Sequence, residues 1–229
     1  MINTPARPIA RPSQYSAILF DCDGVLVDSE PLTMRVLRDM LAQRGWDMPL
    51  RECMHIFVGK ATRDEAALIE AKTGQPFTQE WLHQFWAARD VALRAELQPI
   101  AGAAHIVQQA HAATNGRTAC VSGADRAKIA LQLGKTGLLP WFEGRIYSGH
   151  ETPRNKPHPD VYLAAMQGLQ VPPAQCLVLE DTLTGIRAAA AAGATTIAYR
   201  TPNNPLLTPE QLLQALVAGS GKQAAQELL

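Results

Sequence analysis

The second half of the chain alternates short apolar segments with segments of helical periodicity, and this alternation constrains the fold more than any other feature. Short strands that alternate with helices pair in parallel, because each helix carries the chain back across the sheet. The sequence therefore predicts an α/β fold with a doubly wound parallel sheet, covered by helices on both faces. The predicted strands are residues 15–20, 118–121, 145–147, 176–179 and 195–199, and the predicted helices between the later strands are 125–133, 160–167 and 184–192.

Residues 30–97 interrupt this alternation with patterns that are typical of helices. Residues 62–65 form a capping-box pattern that predicts the start of one helix, with Gly74 at its end, and Thr78 predicts the cap of another. Such a stretch fits poorly as a single crossover, so we predict a small all-helical domain inserted after the first strand. The predicted domains are residues 14–28 with 98–229 for the α/β core, and residues 29–97 for the inserted helical domain.

The charge balance and the apolar patterning exclude several classes of protein. Lys and Arg number 21 against 21 Asp and Glu, so no basic excess would neutralise a nucleic-acid backbone, and no nucleic-acid partner is expected. No apolar run reaches the ~18 residues of a membrane helix, so no membrane partner is expected either. The first thirteen residues lack the apolar stretch of a signal peptide and are predicted to form a loose arm.

The four cysteines are far apart in the sequence and form no CxxC pair. This spacing indicates buried, reduced thiols, and with them we predict a cytoplasmic location. No feature of the sequence points to a particular oligomeric state.

Polar residues follow the predicted strands at the points where those strands end. Because open α/β sheets bind ligands beyond the carboxyl ends of their strands, these residues are candidates for a functional site. Singly, each has an ordinary alternative as a helix cap, a turn residue or a solvated surface charge. Their occurrence on successive strand ends favours function. The candidates are Asp21 and Asp23, Ser122 and Gly123, Lys156, and Glu180 with Asp181.

Charge arithmetic then points to a metal and to phosphate chemistry. The four carboxylates would bring four negative charges to one edge of the sheet, and Lys156 returns one positive charge. Carboxylate oxygens are hard ligands that suit Mg²⁺, so a magnesium cofactor is predicted. A metal and a lysine could together hold a phosphate dianion. One carboxylate could attack phosphorus to form an aspartyl phosphate, and a second could protonate the leaving oxygen and later deprotonate water.

At these residues the chain resembles the phosphatases of the haloacid dehalogenase (HAD) superfamily. The resemblance is to the phosphoglycolate phosphatase and β-phosphoglucomutase-like subgroup, which has a Rossmann-like core and a helical cap. The stretch DCDGVLVDSE that starts at Asp21 resembles the first family motif, and Ser122 resembles the second. Lys156 in KPHPD resembles the third motif, and Glu180-Asp181 followed by Gly185 resembles the fourth.

The resemblance implies a role for each matching residue. Asp21 would be the nucleophile, and Asp23 would be the general acid and base. Ser122 and Lys156 would hold the transferring phosphoryl group. Mg²⁺ would be bound by Asp21, by the backbone carbonyl of Asp23, by Asp181, and by Glu180 directly or through water. The remaining candidates for substrate contact are Gly24 and Gly123 beside the phosphoryl group, and Lys60, Arg63 and Arg35 in the helical cap.

The expected activity is Mg²⁺-dependent hydrolysis of a small phosphorylated metabolite, either a sugar phosphate or a phospho-acid. The close alternative is a sugar phosphomutase resembling β-phosphoglucomutase, which has a histidine twelve positions after the nucleophile. That position is Thr33 in this chain, which disfavours the mutase. Dehalogenases and phosphonate-cleaving relatives lack the second aspartate of the first motif, so Asp23 disfavours both. A non-catalytic binding or regulatory protein would be expected to lose a motif residue, and none is lost.

Overall fold

A parallel sheet of six strands lies at the centre of the protein, which a computed structural model describes for residues 14–199 and 226–228. The strands are arranged in the order β3-β2-β1-β4-β5-β6. The chain thus moves outward from β1 in both directions, which places a topological switch point at the carboxyl end of β1. The strands are β1 (Ala17–Phe20), β2 (Thr118–Ser122), β3 (Ile146–Ser148), β4 (Cys176–Glu180), β5 (Thr195–Tyr199) and β6 (Gln226–Leu228).

Eight α-helices accompany the sheet within the described residues. They are α1 (Glu30–Ala42), α2 (Leu50–Phe57), α3 (Ala66–Thr73), α4 (Gln79–Glu96), α5 (Ala103–Ala113), α6 (Arg126–Lys135), α7 (Asp160–Gly168) and α8 (Leu183–Ala191). Four short 3₁₀ helices lie between them, at Thr62–Glu65, Leu139–Phe142, Gly149–Glu151 and Pro173–Gln175.

Alternate residues of β1 face opposite sides of the sheet, and each side has its own apolar core. Ile18 and Phe20 pack with residues of α5 and α6 on one side. Ala17 and Leu19 pack with residues of α7 and α8 on the other side. Because both faces are covered, β1 reads as a continuous apolar run in the sequence. The predicted doubly wound α/β fold is confirmed.

Helices α1–α4 form the inserted helical cap and have an apolar cluster of their own, which includes Leu37, Phe57, Ile69 and Phe85. The two chain segments that join the cap to the sheet run side by side. The N–H of Asp28 donates to the carbonyl of Gln98 at 3.1 Å, and the N–H of Ile100 donates to that of Leu26 at 3.0 Å. The exact domain limits at 28/29 and 97/98 stay a prediction.

Local signals in the sequence predicted some helix ends and missed others. Thr78 caps α4 by accepting from the N–H of Trp81 at 3.2 Å, and Gly74 ends α3 in the left-handed conformation, both as predicted. The predicted capping box is wrong, because residues 62–65 form a 3₁₀ turn and α3 begins at Ala66. The Glu65 carboxylate pairs with Lys60 at 3.3 Å instead of returning to the backbone of the turn. Helix α5 was not predicted.

The remaining sequence-based expectations concern the cysteines, the termini and membrane segments. All four cysteines are buried and free, as predicted. Among the described residues, none of the helices combines the length and the apolar character that a membrane span needs. The predicted N-terminal arm lies outside the described residues, as does the C-terminal tail apart from β6.

Candidate active site

The site lies at the switch point of the sheet, where the loop after β1 is held rigidly. The N–H of Asp21 continues the ladder by donating to the carbonyl of Leu179 on β4 at 3.0 Å. The carbonyl of Cys22 then accepts from the N–H groups of Leu26 and Val27, at 2.9 and 3.1 Å. These bonds fix Asp21 and Asp23 at one end of a cavity of about 320 Å³, which lies between the sheet edge and the helical cap.

Lys156 is buried beside the predicted nucleophile, with a side chain only 7% exposed. Its Nζ lies 2.6 Å from Asp21 Oδ1, 2.6 Å from Glu180 Oε1 and 3.0 Å from the carbonyl oxygen of Val121. An ammonium group has three N–H donors, so all three are used. Burial disfavours the charge of Lys156, but Asp21 and Glu180 raise its pKa well above the usual value. Lys156 is therefore a fixed buried cation rather than a solvated surface charge.

The carboxylates around Lys156 are short of positive charge. Burial and the charges of Glu180 and Asp23 raise the pKa of Asp21 to about 8, although Lys156 acts in the opposite direction. Burial, together with the charges of Glu180 and Asp21, also raises the pKa of Asp181 well above its usual value. Three carboxyl groups thus share one lysine, an arrangement that calls for a further cation.

The residues at this point fit a Mg²⁺ ion. Both carboxylate oxygens of Asp181 are buried without a hydrogen-bond partner among the described residues. One oxygen each from Asp21, Glu180 and Asp181 lie within 4.8 Å of one another. Buried carboxylates are normally paired or bound to a metal, so the two orphaned oxygens of Asp181 have the character of metal ligands.

Glu180 is the most heavily hydrogen-bonded of these carboxylates. Its Oε1 accepts from Lys156 and from the hydroxyl of Tyr162 at 2.9 Å. Its Oε2 accepts from the N–H groups of Asp181 and Thr182, at 3.0 and 3.1 Å. A Cβ on Gly185 would come within 1.7 Å of Glu180 Oε1, which explains the glycine in the fourth motif. Glu180 therefore orients Lys156, and it also lies close to the carboxylates of Asp21 and Asp181.

Asp23 lies in a polar cluster that the sequence did not indicate. Its Oδ1 accepts from Lys128 Nζ at 2.9 Å, from Gln132 Nε2 at 2.7 Å and from the hydroxyl of Ser29. Burial opposes the ionisation of Asp23, but the charge of Lys128 and these hydrogen bonds hold its pKa below the usual value. Lys128 and Gln132 are four residues apart on α6, so they share one face of the helix. In the sequence, Lys128 and Gln132 stand directly before the apolar Ile129 and Leu133, and this pattern was the available sign that the two polar side chains lie on the buried face of α6.

The other predicted phosphate contacts lie on the loop after β2. Ser122 is buried, lines the cavity and accepts from the N–H of Ala124 at 3.1 Å. Gly123, which also lines the cavity, accepts from Asn155 Nδ2 at 2.8 Å. Asn155 Oδ1 in turn accepts from the N–H of Lys156 at 2.8 Å. Asn155, which the sequence did not single out, thus ties the loop after β2 to the segment that carries Lys156.

The cap contributes the opposite wall of the cavity. Lys60 and Arg63 both line it, as expected from the sequence, and Arg63 Nη2 lies 3.0 Å from Nδ1 of His150 in the core. Arg35 is not among the lining residues and instead pairs with Glu96 at 2.5 Å. The sequence missed Arg89, a buried arginine of α4 that also lines the cavity.

Comparison with known proteins identifies the family. Residues 15–193 match the haloacid dehalogenase-like hydrolases. The chain belongs to this family. Hexitol phosphatase B of Escherichia coli (strain K12) is 31% identical over 201 residues, which make up 85% of this chain and 87% of that protein. A solved HAD family hydrolase from Deinococcus radiodurans R1, with bound phosphate and sodium, shares 31% identity at a TM-score of 0.72 and covers 89% of each chain.

One similar protein is much longer than this HAD-like hydrolase. Protein SUPPRESSOR OF QUENCHING 1, chloroplastic, from Arabidopsis thaliana is 32% identical over 206 residues, and the match covers 86% of this chain but only 19% of that protein. The family was predicted from the motifs and is confirmed. The predicted enzyme class, a phosphoric monoester hydrolase, is confirmed as well.

Gly24 of the first HAD motif leaves no room for a side chain. Its φ is +77°, and a Cβ there would lie 1.9 Å from Asp181 Oδ2. We expect Gly24→Ala to cost about 1–3 kcal/mol in the free energy of unfolding. Displacement of Asp181 should in addition lower phosphate release at least about 10²-fold. Both are measured directly, by denaturant unfolding and by a phosphate assay.

Gly45→Ala is the matched control for Gly24→Ala. Gly45 has a φ of +88°, and apart from its own two chain neighbours no described residue has a heavy atom within 4 Å of the position that a Cβ would take there. The variant should show a backbone cost of about 1 kcal/mol with unchanged activity. Equal loss of activity in both variants would contradict the assignment of the Gly24 effect to Asp181.

Proposed function

We propose that this HAD-like hydrolase is a Mg²⁺-dependent phosphatase of a small phosphorylated metabolite, and that it acts through an aspartyl phosphate on Asp21. One observation carries the proposal. The carboxylate of Asp21, held by the buried Lys156, faces the cavity together with Asp23. This arrangement pairs a nucleophile with a second carboxyl group that can transfer a proton.

In the first half of the proposed reaction, a carboxylate oxygen of Asp21 attacks phosphorus and the bond from phosphorus to the leaving oxygen breaks. Asp23 donates its proton to that oxygen, so that the product leaves as an alcohol. Because Lys128 and the hydrogen bonds to Oδ1 hold the pKa of Asp23 below its usual value, the protonated fraction of the protein carries out this step. Lys156 and Ser122, with the N–H groups of their loops, hold the transferring phosphoryl group. Fixed positive charge around phosphorus stabilises the transition state without reorganisation.

In the second half, water attacks the phosphorus of the aspartyl phosphate. The carboxylate of Asp23 takes a proton from this water, and the bond from phosphorus to Asp21 breaks. Inorganic phosphate and a free Asp21 carboxylate result, with Asp23 protonated again for the next cycle. The same residue thus serves as acid and then as base.

Mg²⁺ would be held by Asp21, the backbone carbonyl of Asp23 and Asp181, with Glu180 in contact through water because both of its oxygens already accept hydrogen bonds. When bound, the ion neutralises charge on the phosphoryl group and lets it approach the carboxylates. The orphaned oxygens of Asp181 support this assignment.

The proposed substrate is a sugar phosphate or a phospho-acid. A cavity of about 320 Å³ is at the small end of the usual range for ligand sites, which favours a compact metabolite. The relative named hexitol phosphatase B supports a polyol or sugar phosphate. Lys60 and Arg63 would contact the leaving group from the cap, which we propose to be residues 29–97. The buried free cysteines agree with the cytoplasmic location that we propose.

No observation favours the mutase. Thr33 lines the cavity, and its buried hydroxyl has no partner among the described residues, but it cannot exchange a proton as an imidazole does. Within the described part of the chain, the histidine that lines the cavity is His150 of the core, not a residue of the cap.

The test is a panel of phosphorylated metabolites, assayed for inorganic phosphate with and without Mg²⁺. Metal-dependent release from one or a few sugar or acid phosphates is the expected result. Isomerisation of a sugar phosphate without net release would establish the mutase instead. No turnover of any compound would favour a binding protein.

Asp181→Asn tests the metal site. The carboxamide keeps the shape of the side chain but removes a charged ligand, so the half-saturating Mg²⁺ concentration should rise at least about 10-fold. Phosphate release titrated with Mg²⁺ measures this. The exposed Asp47, changed to Asn, should leave the titration unaltered. An unchanged titration in Asp181→Asn would remove Asp181 from the set of ligands.

A further inference from the structure

Lys128 is a buried lysine that the proposed reaction does not yet use. Its side chain is 10% exposed and lies on α6, the helix that follows the Ser122 loop. Its backbone N–H donates to Oδ1 of Asp125, the N-cap residue of this helix, at 2.8 Å. This bond fixes the first turn of the helix. Its Nζ reaches across to Asp23 Oδ1 at 2.9 Å. A lysine buried in this way is held in place for the group that it contacts.

The two oxygens of Asp23 have different surroundings. Oδ1 accepts from Lys128, Gln132 and Ser29, which approach it from α6 and from the start of the cap. Oδ2 receives no hydrogen bond from any residue that the structure describes, and Asp23 lines the cavity. With three donors on one oxygen, the carboxyl group cannot rotate without breaking them all. The unbonded oxygen is therefore the one available to the substrate.

The geometry points to Lys128 as a positioning residue that, with Gln132, anchors Oδ1 of Asp23 and leaves Oδ2 to carry the proton. This inference rests on the proposed phosphatase reaction. In the first half-reaction Oδ2–H would pass its proton to the leaving alkoxide oxygen. In the second half-reaction Oδ2 would take a proton from the attacking water. Lys128 itself touches neither the substrate nor phosphorus in this scheme.

The role makes the effect of a Lys128 variant depend on the leaving group. A sugar or polyol phosphate releases an alkoxide, which needs a proton from Asp23 as its bond to phosphorus breaks. p-Nitrophenyl phosphate releases a stable anion that needs no proton. The hydrolysis of the aspartyl phosphate needs Asp23 as a base in both cases. If Asp23 is misplaced, only the rate of the first turnover of the aryl ester should therefore stay unchanged.

The test is Lys128→Met, with hexitol phosphates and p-nitrophenyl phosphate as substrates and with pre-steady-state detection of p-nitrophenolate. Because positioned acid–base groups contribute about 10²–10⁴-fold, we expect steady-state kcat to fall about 10²-fold with both substrates. KM for the hexitol phosphates should change little, because both steps slow together, whereas KM for p-nitrophenyl phosphate should fall with kcat, because only its second step slows. The first turnover of the aryl ester should stay within about threefold of the unaltered protein, because that step needs no proton. A burst that approaches one p-nitrophenolate per enzyme should then appear.

Lys135→Met is the matched control, because it removes the same charge from an exposed position of the same helix. It should behave as the unaltered protein. Gln132→Met removes a second donor to Oδ1 without removing a charge. It should give the same burst with a smaller loss, about 10-fold in kcat, and it tests the inference if Lys128→Met does not fold.

Two results would overturn the inference. One is a steady-state kcat that is unchanged in Lys128→Met or, if that variant does not fold, in Gln132→Met. The other is a first turnover that falls in parallel with kcat, which would mean general damage or a direct contact with the phosphoryl group. Failure of the unaltered protein to hydrolyse any ester is a separate result, and it would overturn the proposed function on which the inference rests.

Discussion

Asp21→Asn is expected to lower phosphate release at least about 10⁴-fold, because a carboxamide cannot act as the nucleophile toward phosphorus. The side chain keeps its shape, and its oxygen can still accept from Lys156, which lies 2.6 Å from Asp21 Oδ1. Burial and neighbouring carboxylates raise the pKa of Asp21, so loss of its charge should not harm the fold. Initial rates of phosphate release and thermal unfolding measure the two effects.

The control for Asp21→Asn is Asp47→Asn, the same change at an exposed position outside the cavity. Its activity should match that of the unaltered protein, and its free energy of unfolding should lie within about 0.5 kcal/mol of the unaltered value. An Asp21→Asn protein that is folded and retains more than a small fraction of the activity would contradict covalent catalysis by Asp21.

Lys156→Met is expected to damage both stability and activity. Lys156 lies between two carboxylates that are 7% and 0% exposed, those of Asp21 and Glu180. Removal of one partner from a buried ion pair leaves charge uncompensated, at a cost of about 3–5 kcal/mol in the free energy of unfolding. Loss of a fixed cation beside the phosphoryl group should also lower kcat about 10³-fold. Denaturant unfolding and steady-state kinetics measure these losses.

A second substitution separates the two effects of Lys156→Met. Glu180→Gln in the same chain removes one of the stranded carboxylates, so stability should recover by about 1–3 kcal/mol. Activity should not recover, because the cation is still missing. The exposed Lys72, changed to Met, should have little effect on either quantity. Full stability in Lys156→Met alone would contradict the buried ion-pair network.

Most of the sheet was predictable from the sequence because β1, β2 and β4 are short, apolar and buried. The short strand β6 (Gln226–Leu228) was not predicted. Strand β5 has the predicted limits, and β4 differs from its prediction only by the inclusion of Glu180. Helix α5 was missed because its stretch, which includes exposed His105 and Ile106, lacks a clear boundary signal apart from Gly102. The pattern at residues 62–65 was misleading because the Glu65 carboxylate pairs with the ammonium group of Lys60 rather than with a backbone N–H of the turn.

The candidate site was predictable to the extent that its residues follow strand ends. Asp21, Ser122 and Asp181 stand directly at or after the ends of β1, β2 and β4, where the topology brings them together. Lys128 and Arg89 could not be found in this way, since they reach the cavity from the faces of α6 and α4. Tertiary packing decides which face of a helix is buried. From the sequence alone, a single lysine on a helix is therefore predicted to be a solvated surface charge.

The central claim is that phosphate passes through Asp21, and rapid-quench trapping of the phosphorylated protein tests it most directly. The protein is mixed with a labelled substrate from the panel and Mg²⁺, quenched within the first turnover, reduced with borohydride and mapped by mass spectrometry. The proposed mechanism predicts label on the protein and reductive modification at Asp21, both absent from Asp21→Asn. Steady release of phosphate without label on the protein, or with label on another residue, would contradict it.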